Sequence, residues 1–357
     1  MKFFFTTEQS WFDKWDEFLT KESRGTHLQH SVWLNSYKSY GFTTELFLLV
    51  EENNDIIGGF IAVIAKKAFF KFYIIPQGPI IKLSKEFYLK DCFEQIHIRS
   101  KHLKCCYAQF SIPISNNLLI KDYVYGENVR EWIPEPFESG NKFKYIYSGY
   151  GMNWVDLSEF TDFDSYLKSL KSQVRRNIKL AYQRNDDCYY LSNKSTIDDL
   201  ELLYELVLLN AKQFHYSVRS FKDVGNSLLN LLYKGQGVFQ SISNNSEIVS
   251  TGFSIKHHNY LVYLFGGTKR MKPDTKSGYL IHASNIKMSI ENGYPGYNIS
   301  MGGSEGVRDF KRKFASEEIY FNKPHYFCVH NALVFNIFKS FEKILKKHKG
   351  VISKYLK

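Results

Sequence analysis

A chain of 357 residues is longer than one hydrophobic core ordinarily serves and suits two domains. Hydrophobic residues at 44%, charged residues at 23% and only 8 prolines exclude a disordered, fibrous or linker-rich protein. Of the net charge of +11, residues 331–357 hold +6, seven lysines against Glu342, so the body before them is nearly balanced and gives no broad footprint for nucleic acid.

Along the chain, residues 8–22 carry Trp11, Trp15, Phe18 and Leu19 at helical spacing and predict a first helix. The segment Leu28 to Trp33 leads into a short helix bearing Tyr37 and Lys38. From Glu45 the pattern changes to three adjacent antiparallel strands, with turns at Asn53-Asn54-Asp55 and Lys66-Lys67. A helix at 84–99 and further strand or loop material to about Tyr150 complete a first domain, placed at 1–152.

A second domain, placed at 153–330, opens with one long helix capped by Thr161 or Asp162, with Phe163, Leu167, Leu170, Val174, Ile178 and Ala181 on one face. Lys168, Lys171, Arg175 and Lys179 recur beside that face, next to Arg176, as either a solvated surface or a basic ridge for RNA or polyphosphate. Helices at 196–216 and 221–233 precede three strands whose turn, Asn244-Asn245-Ser246, repeats the earlier hairpin down to Gly252-Phe253 against Gly59-Phe60. This is an internal duplication, and it predicts two similar units. A helix to Asn292, a strand at 296–301, a Gly302-Gly303 turn, a helix carrying Phe310-Lys311 and a strand near 318–323 follow. That order matches the GNAT acyltransferase fold, so the expected class is α+β: two GNAT-like domains in tandem, with mixed central sheets flanked by helices.

The tail at 331–357 reads as a basic amphipathic helix, with Val334, Ile337, Phe338, Phe341, Ile344 and Leu345 on one stripe and Lys339, Lys343, Lys346 and Lys347 elsewhere. It either contacts a membrane face or packs its stripe on the body. Cys92, Cys105, Cys106, Cys188 and Cys328 show no C-x-x-C pair and no zinc spacing, so reduced thiols, a cytoplasmic setting and no metal are expected. The N-terminus does not read as a signal peptide, and no apolar run reaches the roughly 18 residues of a membrane span.

Chemistry is carried by residues 298–317. A strand, a glycine turn, a helix N-terminus and Lys311 fall within about one helical turn, an arrangement suited to a phosphate or a developing oxyanion. Glu305 and Asp309 flank the turn as either proton acceptors or helix-dipole partners. No G-x-S-x-G, H-E-x-x-H or P-loop is present. Attack of an amine on an activated ester needs none of them.

The chain resembles the Fem family of aminoacyltransferases, built from two GNAT-like units. The resemblance rests on Gln29 to Trp33 with Lys38, Ile57-Gly58-Gly59, Ile75 to Pro79, Tyr166 to Lys179 with its Arg-Arg pair, Phe265-Gly266-Gly267, and Gly302-Gly303 through Phe310-Lys311. It implies transfer of an amino acid from aminoacyl-tRNA to an amine of a peptidoglycan or other cell-envelope precursor, nucleotide- or lipid-linked, with no tightly bound cofactor. It implies catalytic roles for Lys311 and Phe310. Substrate binding is expected from Lys38, Trp33, Tyr216, Arg219, Gly302 and Gly303. Many family members carry a helical-hairpin arm in the second domain; the short stretch after Arg184 implies an armless form.

An acyl-CoA-dependent N-acyltransferase acting on an amino sugar is the alternative, and a non-catalytic RNA- or membrane-binding relative a third class. Against CoA, the pyrophosphate-loop position reads Lys272-Pro273-Asp274-Thr275-Lys276-Ser277-Gly278, with one glycine. Lys311→Ala is expected to lower transfer tenfold or more with little change in melting temperature.

Overall fold

The computed structural model describes residues 1–67 and 69–347, with side chains for all of these except 67 and 343–347. The chain forms two compact units, Gly151–Ile319 and the remainder on either side of it.

The first unit begins with β1 (Lys2–Thr6), α1 (Gln9–Lys21), α2 (Ser31–Asn35), β2 (Thr43–Val50), β3 (Ile56–Lys67), β4 (Phe70–Ile75), β5 (Ile80–Ile81), α3 (Leu89–His102), β6 (Tyr107–Ser111) and β7 (Glu138–Ser139). The second unit holds β8 (Gly151–Asp156), α4 (Phe163–Ser169), α5 (Ser172–Arg184), β9 (Tyr189–Tyr190), α6 (Ile197–Gln213), α7 (Phe221–Tyr233), β10 (Gly237–Asn244), β11 (Glu247–Lys256), β12 (Tyr260–Thr268), α8 (Ser277–Glu291), β13 (Gly296–Asn298), α9 (Glu305–Arg312) and β14 (Ser316–Tyr320). The chain then returns to the first unit as β15 (His325–Val329) and α10 (Ala332–Lys347). Among the described residues, no helix is long and apolar enough to cross a membrane.

The first sheet runs β1-β2-β3-β4-β6-β15-β7, with β5 also on β3. Its alternating side chains feed two cores. One, around Trp15, Leu46, Val63, Phe72 and Tyr107, is covered by α1 and α10; the other, around Phe60, Tyr73 and Phe110, is covered by Leu89, Phe93 and Ile96 of α3. The second sheet runs β14-β8-β13-β12-β11-β10-β9, and its α5 and α8 pack Val174, Ile178, Leu280 and Ile286 against Val155, Ile242 and Leu261. The repeated hairpins match in detail. β2–β3 and β10–β11 both slip register near the turn, at Leu49/Val50 and Ile242/Ser243, and Asn54 and Asn245 both take left-handed conformations.

Several expectations change. The helix expected from Thr161 to Ala181 is two, because Leu170 turns inward with an extended ψ of 157° and closes α4. Arg175 is exposed, as expected of a solvated face, and its Nη1 also donates to the carbonyls of Lys168 (3.1 Å) and Leu170, satisfying groups that the end of α4 leaves open. The stretch expected to end the second domain at 330 contains β15, which inserts between β6 and β7 of the first sheet. Of the tail's apolar stripe, Phe338 lies 4.6 Å from Phe72 and Val334 also packs on the first core, so this part of the stripe faces the body. Ile344, Leu345, Lys343, Lys346 and Lys347 of that expectation lie outside the described side chains.

Candidate active site

The two sheets treat their central parallel seam differently. In the first unit β4 and β6 pair from Phe72↔Tyr107 to Ile75↔Phe110, and the chain beyond β4 stays bonded to Ser111 through the amides of Gln77 and Gly78, both at 2.7 Å. Where β3 parts from β4, the buried Gln29 side chain fills the gap. It accepts from Ile61 N at 2.7 Å and donates to Pro76 O at 2.9 Å. The parallel seam between β4 and β6 is thus closed by the Gln77 and Gly78 amides, and Gln29 fills the adjoining gap between β3 and β4.

In the second unit β12 and β13 pair only from Tyr260↔Gly296 to Val262↔Asn298. A bulge then leaves Leu264 unmatched between Tyr263↔Ser254 and Phe265↔Phe253, twisting β12 away, while Ile299 N donates to Asn153 O of β8 at 2.9 Å. The strands therefore part past Val262 and Asn298, which leaves the edge of β12 from Tyr263 to Gly267 without a partner strand on that side, while Asn210 holds both backbone groups of Thr268. Such an edge offers backbone donors and acceptors to a linear substrate.

The far side of this opening is the loop that follows β13. Asn298 Oδ1 accepts from the amides of Asn153 (3.1 Å) and Ser300 (3.0 Å) and fixes its start. Ser300, Gly302 and Gly303 all have positive φ, at 72°, 78° and 104°. At Gly303 any Cβ would also lie 2.6 Å from the Val307 side chain, so only glycine fits. Helix α9 follows from Ser304, and its first amides have no intrahelical acceptor.

Lys311 turns back from the last turn of α9 beneath this loop. It is 6% exposed, and its Nζ donates to Ser300 O at 2.8 Å and Gly302 O at 3.1 Å. Burial pulls its pKa down to about 8, against the opposing pull of the Glu318 carboxylate. A third ammonium hydrogen remains beyond those two bonds. Beside it lies His282 of α8, buried, with Nδ1 2.9 Å from the Tyr297 hydroxyl. Its pKa is lowered to about 3 by burial first and by Lys311 second, so the ring is a neutral imidazole. Tyr263 crosses the ring of His282 at 4.7 Å, and burial pushes its phenol pKa well up. The result is a buried cation, a neutral imidazole and two phenols at the mouth of an open seam. A buried ammonium beside hydroxyl donors is the kind of set that can stabilise negative charge.

The sequence profile of the FemAB family matches residues 10–223. The chain belongs to the FemAB family. It is thus an aminoacyltransferase of the GNAT-like type. Its fold is similar to the crystal structure of FemX, with a TM-score of 0.74 and 13% identity over 94% of this chain and 99% of that one. It is also similar to the C-terminal domain of a putative lysylphosphatidylglycerol synthetase from Agrobacterium fabrum (TM-score 0.56, 10% identity, 93% and 96% covered). A tandem GNAT protein from the clavulanic acid biosynthesis pathway matches at TM-score 0.50 with 7% identity, covering 92% and 98%. No curated protein matches the chain by sequence.

Within this FemAB chain the structure brings Lys311, Phe310, Gly302 and Gly303 together in the second unit. Phe310 packs 5.0 Å from Tyr279, 5.5 Å from Phe314 and 5.6 Å from His282, as a wall of the site. Tyr216, exposed after α6, adds to the upward shift of Tyr263 and so lies near the mouth. Arg219 is half-buried, and its carbonyl accepts from Tyr204 at 2.9 Å. Lys38, exposed, and Trp33, edge-on to His27 at 5.3 Å, belong to the first unit. Glu305 pairs with Arg312 at 2.6 Å and Arg308 at 3.4 Å, and Asp309 with Arg312 at 2.8 Å, so both carboxylates serve helix ion pairs. Sequence reasoning missed His282 and Tyr263. The histidine stands in the apolar run Tyr279-Leu280-Ile281-His282-Ala283, and a lone polar residue at a core position is the signal that could have found it.

Proposed function

We propose that this enzyme transfers an aminoacyl group from aminoacyl-tRNA to an amine of a peptidoglycan or other cell-envelope precursor, at the opening between β12 and β13. The supporting observation is the join of that opening to the Gly302-Gly303 loop and the Lys311 ammonium. In this reading the acyl carbonyl lies along the free edge of β12. The amine attacks it, and the third hydrogen of Lys311, with the first amides of α9, stabilises the oxyanion or an adjoining phosphate. The attacking nitrogen loses its proton to water, and the ribose oxygen leaves as a hydroxyl after taking a proton from solvent. Lys38 and Trp33 are assigned to binding the acceptor in the first unit, Tyr216 and Arg219 to holding substrate at the mouth.

The loop before α8 favours tRNA over CoA as donor. Asp274 Oδ1 accepts from Lys276 N at 2.9 Å at the start of α8, where a pyrophosphate would need that amide. Arg184 Nη1 holds Asp274 O at 2.7 Å and Asn185 Nδ2 holds Thr275 O at 2.8 Å, so the loop is tied to the end of α5. A membrane contact through 331–357 has to use residues other than the inward-facing Val334, Phe335 and Phe338.

The test offers the purified protein labelled aminoacyl-tRNA or labelled acetyl-CoA, with a mixture of envelope precursors. RNase-sensitive transfer is expected. Transfer from the thioester alone overturns the donor assignment.

A further inference from the structure

A second cluster of chemically capable side chains lies in the first unit. His97 comes from α3, Cys328 from β15 and His330 from just beyond it. Their ligand atoms all fall within 4.8 Å of one another. Cys328 Sγ lies 3.9 Å from His97 Nδ1 and 3.7 Å from His330 Nδ1. Those separations are long for hydrogen bonds but suit a shared ion. A tetrahedral zinc with its usual bond lengths to sulfur and imidazole nitrogen places them about 3.6 Å apart.

The surroundings prepare the site. Ser100 Oγ donates to Ile96 O at 2.6 Å, so its contact of 2.7 Å with His330 Nε2 requires that nitrogen to carry the hydrogen. The tautomer is thereby set, and the lone pair of Nδ1 faces Cys328. An outer hydrogen bond that orients a ligating imidazole in this way is the usual support of a metal site. Two charged groups act on Cys328 from nearby elements, Lys101 of α3 and Glu138 of β7. Cys328 shares its face of β15 with Tyr326, the face that α3 covers, and this is why residues 231 apart in sequence meet.

We propose that His97, Cys328 and His330 bind one divalent cation of the zinc type, with water in the fourth position. Binding exchanges the thiol proton of Cys328 for a sulfur–metal bond and releases that proton to solvent, with no redox change. The ion pins the returning strand β15 to α3. The set of one soft thiolate and two imidazoles selects zinc, or cobalt as its probe, over magnesium or calcium.

The test uses the full chain, stripped by chelator and titrated with cobalt(II). One equivalent should give a thiolate-to-cobalt charge-transfer band and the strong visible bands of a four-coordinate centre, and zinc should displace both. Cys328→Ser should abolish the charge-transfer band, and Ser100→Ala should weaken binding about 10- to 100-fold. No band in the wild-type chain, or a band that survives Cys328→Ser, overturns the proposal. X-ray absorption of the zinc-loaded wild type needs no variant. One sulfur near 2.3 Å with nitrogen near 2.0–2.1 Å supports the site, and a shell without sulfur overturns it.

Discussion

Lys311 differs from a surface lysine in what its ammonium touches. Two of its hydrogens hold the carbonyls of Ser300 and Gly302, so the loop that shapes the site depends on it. This revises the expectation from sequence: Lys311→Ala leaves two carbonyls without a donor and should destabilise the chain by about 1–3 kcal/mol, besides lowering transfer tenfold or more. Calorimetry alongside the transfer assay reads both, and unchanged transfer removes Lys311 from the mechanism. The pH dependence is more specific. The native pKa of about 8 lies below the ordinary lysine value of 10.5, so between those values the unfolded chain holds a proton that the native chain has lost. Stability from this group therefore rises with pH across that window, while the charged form available for catalysis disappears. Transfer should fall as pH passes about 8. Lys311→Arg should lose that limb, because a guanidinium keeps its proton. A limb that persists unchanged in Lys311→Arg assigns it to another group. In the sequence Lys311 was legible as a position beside a glycine turn. Its burial was not, because an eight-residue helix rich in charge reads as exposed on every face.

At the scale of elements, the parallel seam stays closed in the first unit through the Gln77 and Gly78 amides and parts in the second, and the neighbouring gap between β3 and β4 is filled by one side chain. Gln29 closes the gap in the first sheet with bonds to Ile61 and Pro76, at no measurable exposure. Gln29→Ala should strand those backbone groups and lower stability by about 2–4 kcal/mol, with little loss of transfer per folded molecule. A large fall in kcat with unchanged stability places Gln29 in the chemistry instead. The paired hairpins β2–β3 and β10–β11 were legible because Asn-rich turns punctuate strongly hydrophobic runs, whereas β6, on one side of the first seam, falls in a stretch that reads only as strand or loop. The divergence itself was not, since it follows from one unmatched residue, Leu264, in an unbroken β pattern. The break between α4 and α5 was hidden for a similar reason. No glycine or proline marks it, and Leu170 satisfies the helical period while pointing inward from an extended backbone.

For the whole molecule, the first unit is completed by residues that follow the second. β15 stands between β6 and β7, and α10 lays Phe335 on Tyr107 with ring centroids 4.7 Å apart and planes at 2°. The sequence hid this because β15 is five residues long and pairs with a strand more than 200 positions earlier, a contact no local pattern reports. Residues 1–150 alone therefore lack the strand that joins β6 to β7 and a helix covering one core. That fragment should show no cooperative unfolding transition. The connection needed to restore it is short: Phe321 N donates to Tyr150 O at 3.0 Å, so the chain leaves and re-enters the unit at neighbouring points. Joining Tyr150 to Tyr320 through a few glycine and serine residues should give a folded, monomeric unit, because closing so short a gap adds little chain entropy. Within it, Phe335→Ala should lower stability by about 3–5 kcal/mol, as expected for removing a buried ring. Thermal unfolding followed by circular dichroism distinguishes the cases. If residues 1–150 alone melt cooperatively at the temperature of the joined unit, β15 and α10 are additions to a complete domain.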